Sequence, residues 1–199
     1  MPIIEAIQLL VEGKDAEIFF KALLRKINLS GIQVQDFGGK DELKGFLKAL
    51  RNAPNFARQV VSLGIVRDAE TDPKAAFQSV CSALRNADLT EPPRPIAQAG
   101  ENPKISVLII PNAMTPGMLE TLCLEAVTED PAMACVREYF ECVQLKKGLL
   151  PSNMFKARLH VYLASCSKPG LRLGEAADAG YWPWDNPIFD PLKQFLYAL

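Results

Sequence analysis

Hydrophobic positions along the first 130 residues alternate between two patterns. Short apolar runs predict four strands, at residues 3–13, 32–37, 59–66 and 105–111. Between them, apolar residues recur at helical spacing and predict helices at residues 15–27 and 41–52, from about residue 73, and at 117–127. The alternation of strands and helices predicts an α/β fold with an open, mostly parallel, Rossmann-like sheet of about four strands flanked by helices.

From about residue 130 onward the pattern is helical only. Helices are predicted at residues 131–143, 153–165, 173–180 and 189–199. Because no low-complexity linker separates them from the preceding part, we expect one domain over residues 1–199. Its core would span about 3–128, and a helical extension of about 130–199 would pack on or beside the sheet. The stretch from Asp88 to Lys104 contains four prolines and is expected to be a loop.

The charge composition weakens one class of function. The chain has 199 residues, of which 22 are basic and 23 acidic, for a formal net charge of −1. No general positive field therefore attracts nucleic acid, which argues against nonspecific coating of DNA. An enzyme that contacts phosphates through a bound metal ion and a local basic patch remains compatible with this charge.

The cysteines and apolar runs indicate a compartment. Five scattered cysteines contain no C-x-x-C pair, so we expect reduced, mostly buried thiols and neither a disulfide framework nor a zinc site. The first apolar run carries Glu5 and lacks a basic leader, so no signal peptide is expected. No run approaches the ~20 apolar residues of a membrane helix. We expect a cytoplasmic protein.

Acidic residues stand where the predicted strands end. Glu12 follows the first strand, Asp68 follows the third, and Glu120 lies in the first turns of the helix after the fourth. The carboxyl ends of parallel strands share one edge of a sheet, which is where α/β proteins bind ligands. Clustered carboxylates require a proton or a cation, and hard ions such as Mg²⁺ or Mn²⁺ prefer oxygen ligands. The pattern predicts a metal site with one or two ions at this edge.

The stretch GIVRDAETDP tests other motifs. Asp68, Glu70 and Asp72 have the spacing of an EF-hand, but Pro73 and Ser79 stand where that loop needs glycine and glutamate. No G-x-G-x-x-G or P-loop is present. Asp72 before proline is typical of a helix N-cap, which leaves capping and metal ligation both open. The same helix-start pattern occurs at Thr115–Pro116 and Asp130–Pro131.

Three further features have a structural and a functional interpretation. His160 is the only histidine, so it is more simply structural than catalytic. Trp182 and Trp184 fit a packed loop better than a base-stacking platform. Four basic residues at helical spacing would form a solvated face or, less simply, contact phosphates. They are Lys40, Lys44, Lys48 and Arg51.

Two short motifs carry a resemblance to a known family. LLVEG supplies Glu12 and Gly13 after the first strand, and VRDAE supplies Asp68 and Glu70 after the third. In this order the motifs resemble a Toprim domain, the metal-binding α/β module of topoisomerases, bacterial primases, a ribosomal RNA maturase and nucleases of the OLD (overcoming lysogenization defect) type. Glu70 departs from the family pattern, in which an aspartate is usual.

Further segments are similar to the OLD branch and its small stand-alone relatives. FGGKDEL resembles a glycine-rich turn after the second strand, and TPGMLETL places Glu120 near a second metal. The resemblance implies that Glu12, Asp68 and Glu70 hold one Mg²⁺ or Mn²⁺, with Glu120 and Asp72 near the other. It also implies a catalytic lysine from the helical region, for which Lys156 is the candidate.

The resemblance leaves two functions open. One is a metal-dependent nuclease acting on DNA or RNA phosphodiesters. The length leaves little room for the DNA gates of a topoisomerase or the accessory domains of a primase. The other is a catalytically silent module that binds nucleic acid or a protein, such as a separate ATPase, because OLD-type nucleases carry an ATPase that this chain lacks. The oligomeric state stays open.

Overall fold

A sheet of four parallel strands forms the centre of the fold in the computed structural model, which describes residues 2–199. The strands are β1 Ile7–Val11, β2 Ile32–Asp36, β3 Ser62–Asp68 and β4 Lys104–Ile110. Their spatial order is β2-β1-β3-β4, so the first strand lies between the second and the third. This confirms the predicted α/β class with an open parallel sheet.

Helices connect and cover the strands. Within residues 2–199 they are α1 Lys14–Lys26, α2 Leu43–Arg51, α3 Phe56–Gln59, α4 Pro73–Asn86, α5 Leu119–Ala126, α6 Ala132–Lys147, α7 Met154–Ala164, α8 Leu173–Asp178 and α9 Asp190–Tyr197. A short 3₁₀ helix, Pro187–Phe189, precedes α9. The helices predicted from residue 130 onward are confirmed as α6 to α9.

The boundaries differ from the sequence predictions in several places. The first strand was predicted at residues 3–13, but β1 spans only Ile7–Val11. The third strand was predicted at residues 59–66, but β3 begins at Ser62 because the short helix α3 ends only at Gln59. Helix α3 was not predicted. The helix-start prediction at Thr115–Pro116 is wrong, because α5 begins at Leu119. The backbone of Gly117 forms an antiparallel bridge with Glu70, which keeps that segment extended.

One face of the sheet is covered by α1, α5 and the C-terminal helices. Leu9, Val11 and Val66 point to this face and join a core that includes Phe19 of α1 and residues of α5 to α9. Trp182 is only 2% exposed within the same core. The helical C-terminal region therefore shares one core with β1, β3, α1 and α5 on this side of the sheet, in agreement with the prediction that it packs on or beside the sheet.

The opposite face is covered by α2 and α4. Leu10, Leu63 and Ile65 point to this side and pack with buried residues such as Leu47 of α2 and Val80 of α4. Neighbouring residues of β1 thus enter different cores, as the alternation of side chains along a strand requires. Burial on both faces explains why the third strand reads as an unbroken apolar run.

The cysteine and membrane predictions have mixed outcomes. All five cysteines are free thiols, as expected, but only Cys81 and Cys123 are buried, while Cys135 and Cys142 are exposed on α6. The prediction of mostly buried thiols fails for these two residues because both lie on the solvent-exposed side of α6. For residues 2–199, no helix has both the length and the apolar character needed to cross a membrane.

Helices α1 and α8 contact each other closely near the carboxyl end of the sheet. A Cβ atom built on Gly174 would lie 2.6 Å from the backbone oxygen of Asp15 and 2.8 Å from Cβ of Ile18. The Gly174 N–H also donates to Asp15 Oδ1 at 3.3 Å. Only glycine allows this approach, which anchors α8 beside the first turn of α1.

We expect Gly174→Ala to lower the free energy of unfolding by about 1–3 kcal/mol, because the added methyl group overlaps backbone atoms that cannot move freely. The matched control is Gly45→Ala in α2, where no atom lies within 4 Å of the added Cβ. That change should be neutral or stabilise the protein by up to about 1 kcal/mol. Urea unfolding measures both, and equal stability of the two variants would contradict the close contact.

Candidate functional site

Acidic side chains from separate segments meet at the carboxyl end of the sheet. Asp68 is the last residue of β3, Glu12 follows β1, and Glu120 is the second residue of α5. All three line a cavity of about 330 Å³, which Lys156 of α7 also lines. We call these four residues the rim. Glu70 and Asp72 do not line this cavity.

Asp68 is the most perturbed acid of the rim. Its Oδ1 accepts a hydrogen bond of 3.0 Å from the backbone N–H of Leu119, the first residue of α5. Burial and the negative charges of Glu120 and Glu12 together raise the pKa of the Asp68 carboxyl to about 8, although the Leu119 N–H and the Arg67 charge act to lower it. At neutral pH the carboxyl therefore favours a bound proton or an added cation.

Glu12 is paired with an arginine that the sequence analysis did not identify. The register aligns Leu10 of β1 with Ile65 of β3, and continuing it by two residues places Glu12 beside Arg67. Arg67 Nη1 donates to Glu12 Oε2. The Arg67 side chain is 5% exposed and that of Glu12 is 20% exposed. Burial raises the pKa of the Glu12 carboxyl, and the Arg67 guanidinium partly opposes this effect.

Asp36 is a second residue that the sequence analysis missed. Its Oδ1 accepts hydrogen bonds from the N–H groups of Gly13, at 2.8 Å, and Gly38, at 2.7 Å. It joins the turn after β1 to the turn after β2, and both glycines line the cavity. Gly13 has φ +84°, a conformation that favours glycine. In the sequence, Asp36 could have been recognised as the aspartate at the end of IQVQD, and Arg67 as the charged residue inside the apolar run before Asp68.

Glu70 serves mainly to join two loops. It has φ +51°, and its backbone exchanges two hydrogen bonds of 2.8 Å with Gly117. These bonds connect the segment after β3 to the segment after β4. The Glu70 side chain faces Lys40, with Oε2 at 3.8 Å from Nζ. The predicted metal role of Glu70 stays a prediction, and its carboxylate already has a basic neighbour.

Asp72 caps α4, which confirms the helix-start interpretation. Its Oδ1 accepts from the N–H groups of Lys74, at 2.9 Å, and Ala75, at 3.0 Å. Pro73 occupies the first helical position. Asp130 acts similarly before α6, because its Oδ1 accepts from Ala132 N–H at 2.9 Å. These bonds account for Asp72 without a metal ion.

Glu120 and Lys156 are neighbouring residues in the lining of the cavity. Lys156 Nζ lies 3.9 Å from Glu120 Oε1, and the lysine side chain is 58% exposed while that of Glu120 is 16% exposed. No group of three or more histidine, cysteine or acidic side chains within residues 2–199 is arranged to hold a metal ion. Among the charges around Asp68, that of Glu120 raises its pKa most. Asp68 and Glu120 are therefore the pair of acids that could share a metal ion.

The remaining candidates have structural environments. Trp182 and Trp184 are buried, and Trp184 packs against Phe19, which confirms the packed-loop interpretation. His160 is exposed on α7. The basic residues of α2 are exposed, and Arg51 lies over the Phe56 ring at 5.5 Å. None of these side chains lines the rim cavity.

Comparisons with known proteins identify a family and a similar solved structure. A family model described as "Protein of unknown function (DUF3226)" matches residues 6–199. No curated protein matches. Among solved structures, the C-terminal region of the OLD protein of Xanthomonas campestris pv. campestris is similar, with 12% identity, coverage of 97% of this chain and 98% of that chain, and a TM-score of 0.44. No chemistry of this chain follows from a likeness at that level.

The perturbed Asp68 predicts a pH-dependent stability. Because its folded-state pKa of about 8 exceeds the ordinary value of 3.8, the folded protein binds this proton more tightly than the unfolded chain does. The contribution of Asp68 to stability is therefore fully present below the ordinary value and is lost as the pH rises through 8. We expect Asp68→Asn to gain stability relative to wild type between about pH 5 and about pH 8 in urea unfolding.

The matched control is Asp88→Asn. Asp88 is exposed and lies near the start of β4, at the other end of the sheet. Its difference in unfolding free energy from wild type should stay constant over the same pH range. A constant difference for Asp68→Asn as well would contradict the perturbed carboxyl.

Proposed function

The chain belongs to the DUF3226 family of proteins of unknown function, and we propose that it is a Mg²⁺- or Mn²⁺-dependent hydrolase of nucleic-acid phosphodiesters. The observation that carries this proposal is the Asp68 carboxyl, which lies beside the charges of Glu120 and Glu12 and has its pKa raised to about 8. A divalent cation relieves such an accumulation of negative charge. The Toprim resemblance supplies the phosphodiester chemistry.

Asp68 and Glu120 are the proposed metal ligands. Both line the cavity, and the charge of Glu120 acts directly on Asp68. Their oxygen atoms suit Mg²⁺, which proteins commonly bind through one or two carboxylates, with water and substrate phosphates as the other ligands. Two carboxylates therefore meet the requirement although the described residues contain no cluster of three. Glu12 also lines the cavity, but it is paired with Arg67.

The same cavity also suits a phosphate group. The first residues of α1 and of α5 both line it, and helix N-termini favour anions. Lys156 can move toward a phosphate because its side chain is largely exposed and its contact with Glu120 is long. Lys14 is instead directed to Glu17, at 2.5 Å. Lys156 is therefore the proposed phosphate contact.

Each group has a defined part in the hydrolysis. A bound Mg²⁺ or Mn²⁺ supplies a more acidic water and a polarised phosphate. Asp68 and Glu120 fix the position of that charge, and the Leu119 N–H holds the Asp68 carboxyl in one orientation. Lys156 neutralises part of the phosphate charge, and the α1 N-terminus orients the phosphate in the cavity.

A silent module that binds a nucleic-acid or protein partner, such as an ATPase, is the second candidate. It is favoured by the basic partners of Glu12, Glu70 and Glu120, which neutralise much of the acidic charge without a metal ion. The partners are Arg67, Lys40 and Lys156 respectively. In this case the protein would bind its partner but would not cleave phosphodiesters.

The proposal predicts metal-dependent cleavage that depends on Asp68. Wild type should cut single- or double-stranded DNA or RNA with Mg²⁺ or Mn²⁺, and Asp68→Asn should lose at least about a hundredfold in rate because a metal ligand is removed. Asp88→Asn should retain wild-type activity. Gel analysis of labelled oligonucleotides measures the rates.

Stability provides an independent measurement. At about pH 8, Mg²⁺ should raise the melting temperature of wild type and of Asp88→Asn but not that of Asp68→Asn. If wild type cleaves no oligonucleotide and neither Mg²⁺ nor Mn²⁺ changes its melting temperature, the enzyme proposal is excluded. Retained oligonucleotide binding in that case would favour the silent module.

A further inference from the structure

The Arg67–Glu12 pair differs from the other ion pairs near the rim. The side chains of Lys40 and Lys156 are 55% and 58% exposed, and they lie 3.8 and 3.9 Å from Glu70 and Glu120. The Arg67 side chain is only 5% exposed and contacts Glu12 directly. The two lysines can leave their partners at little cost, because exposed pairs contribute little stability. Arg67 cannot leave in the same way.

The backbone also holds this pair in place. Arg67 lies within β3, paired with Ile109 of β4, and the β1–β3 register brings Glu12 alongside it. On the other side, Asp36 fixes the Gly13 N–H immediately after Glu12. Neither side chain can separate from the other without leaving a buried charge unpaired, which costs several kcal/mol in typical proteins.

We propose that Arg67 is a built-in counter-ion that occupies the cation position at Glu12 and so limits the rim to one divalent ion. The location of that one ion, between Asp68 and Glu120, rests on the proposed function. The occupation of Glu12 by Arg67 rests on the ion pair alone. Glu12 was expected to hold a metal ion itself. In this proposal Glu12 binds Arg67 instead, and the two residues have a positioning role.

Electrostatics explains why the arginine would exclude a cation. A guanidinium stays charged at all physiological pH values, so it cannot release Glu12 by losing a proton. A divalent ion at Glu12 would lie close to this positive charge in a poorly solvated site, where like charges repel strongly. Without Arg67, Glu12 would be a partly buried carboxylate next to Asp68 and would itself require a cation.

The test is the number of Mn²⁺ ions bound by the full chain. Isothermal titration with Mn²⁺ at about pH 8 should give one ion per chain for wild type and two for Arg67→Met, which keeps the apolar stem and removes the charge. Mn²⁺ should also raise the melting temperature of Arg67→Met more than that of wild type. The double variant Glu12→Gln/Arg67→Met should return to one ion, and Arg67→Lys should remain at one.

Each result decides the proposal. Two ions in wild type, or an unchanged count in folded Arg67→Met, would overturn the role of Arg67. Because the wild-type count is itself decisive, a two-ion wild type overturns it even if Arg67→Met does not fold. No ion in wild type but one in Arg67→Met would support the counter-ion and exclude the proposed enzyme function, so the two failures are distinguishable. Arg67→Met that folds only with Mn²⁺ would support the counter-ion.

Discussion

The register between β1 and β3 is the constraint on which the rim depends. It places the residue after β1 beside the second-last residue of β3, so Glu12 meets Arg67 while Asp68 projects next to them. Side chains alternate along a strand, so a shift of one residue would direct Arg67 away from Glu12 and bury an unpaired charge. The large apolar cores on both faces of the sheet exclude such a shift.

The rest of the fold brings three further groups to the same place. Asp36 fastens the turns that follow β1 and β2. Because the backbone of Gly117 is bridged to that of Glu70, α5 begins only at Leu119. The N–H of Leu119 donates to Asp68. The C-terminal helices pack on the α1 side of the sheet and bring Lys156 to the cavity. Residues far apart in the chain thus form one charged environment.

Much of this arrangement could be predicted from periodicity. Unbroken apolar runs indicated strands buried on both faces, and acids at their ends indicated a rim with Glu12, Asp68 and Glu120. The Asp72–Pro73 pair correctly indicated a helix cap, because capping depends on neighbouring residues only. The helix start predicted at Thr115–Pro116 was wrong because the contact that decides its conformation is not local. Its local pattern favours a helix start, but a hydrogen-bonded bridge from a distant segment holds the chain extended there.

The parallel α/β architecture and the acidic residues at the strand ends could be predicted from the sequence, because they depend on side-chain periodicity and short-range chain geometry. The pairing of the charges depends on the folded structure. Burial raises the pKa of Asp68 to about 8, and the sheet places Arg67 rather than open solvent against Glu12. Ion pairing depends on distance and solvation in three dimensions, and neither can be read from residue spacing.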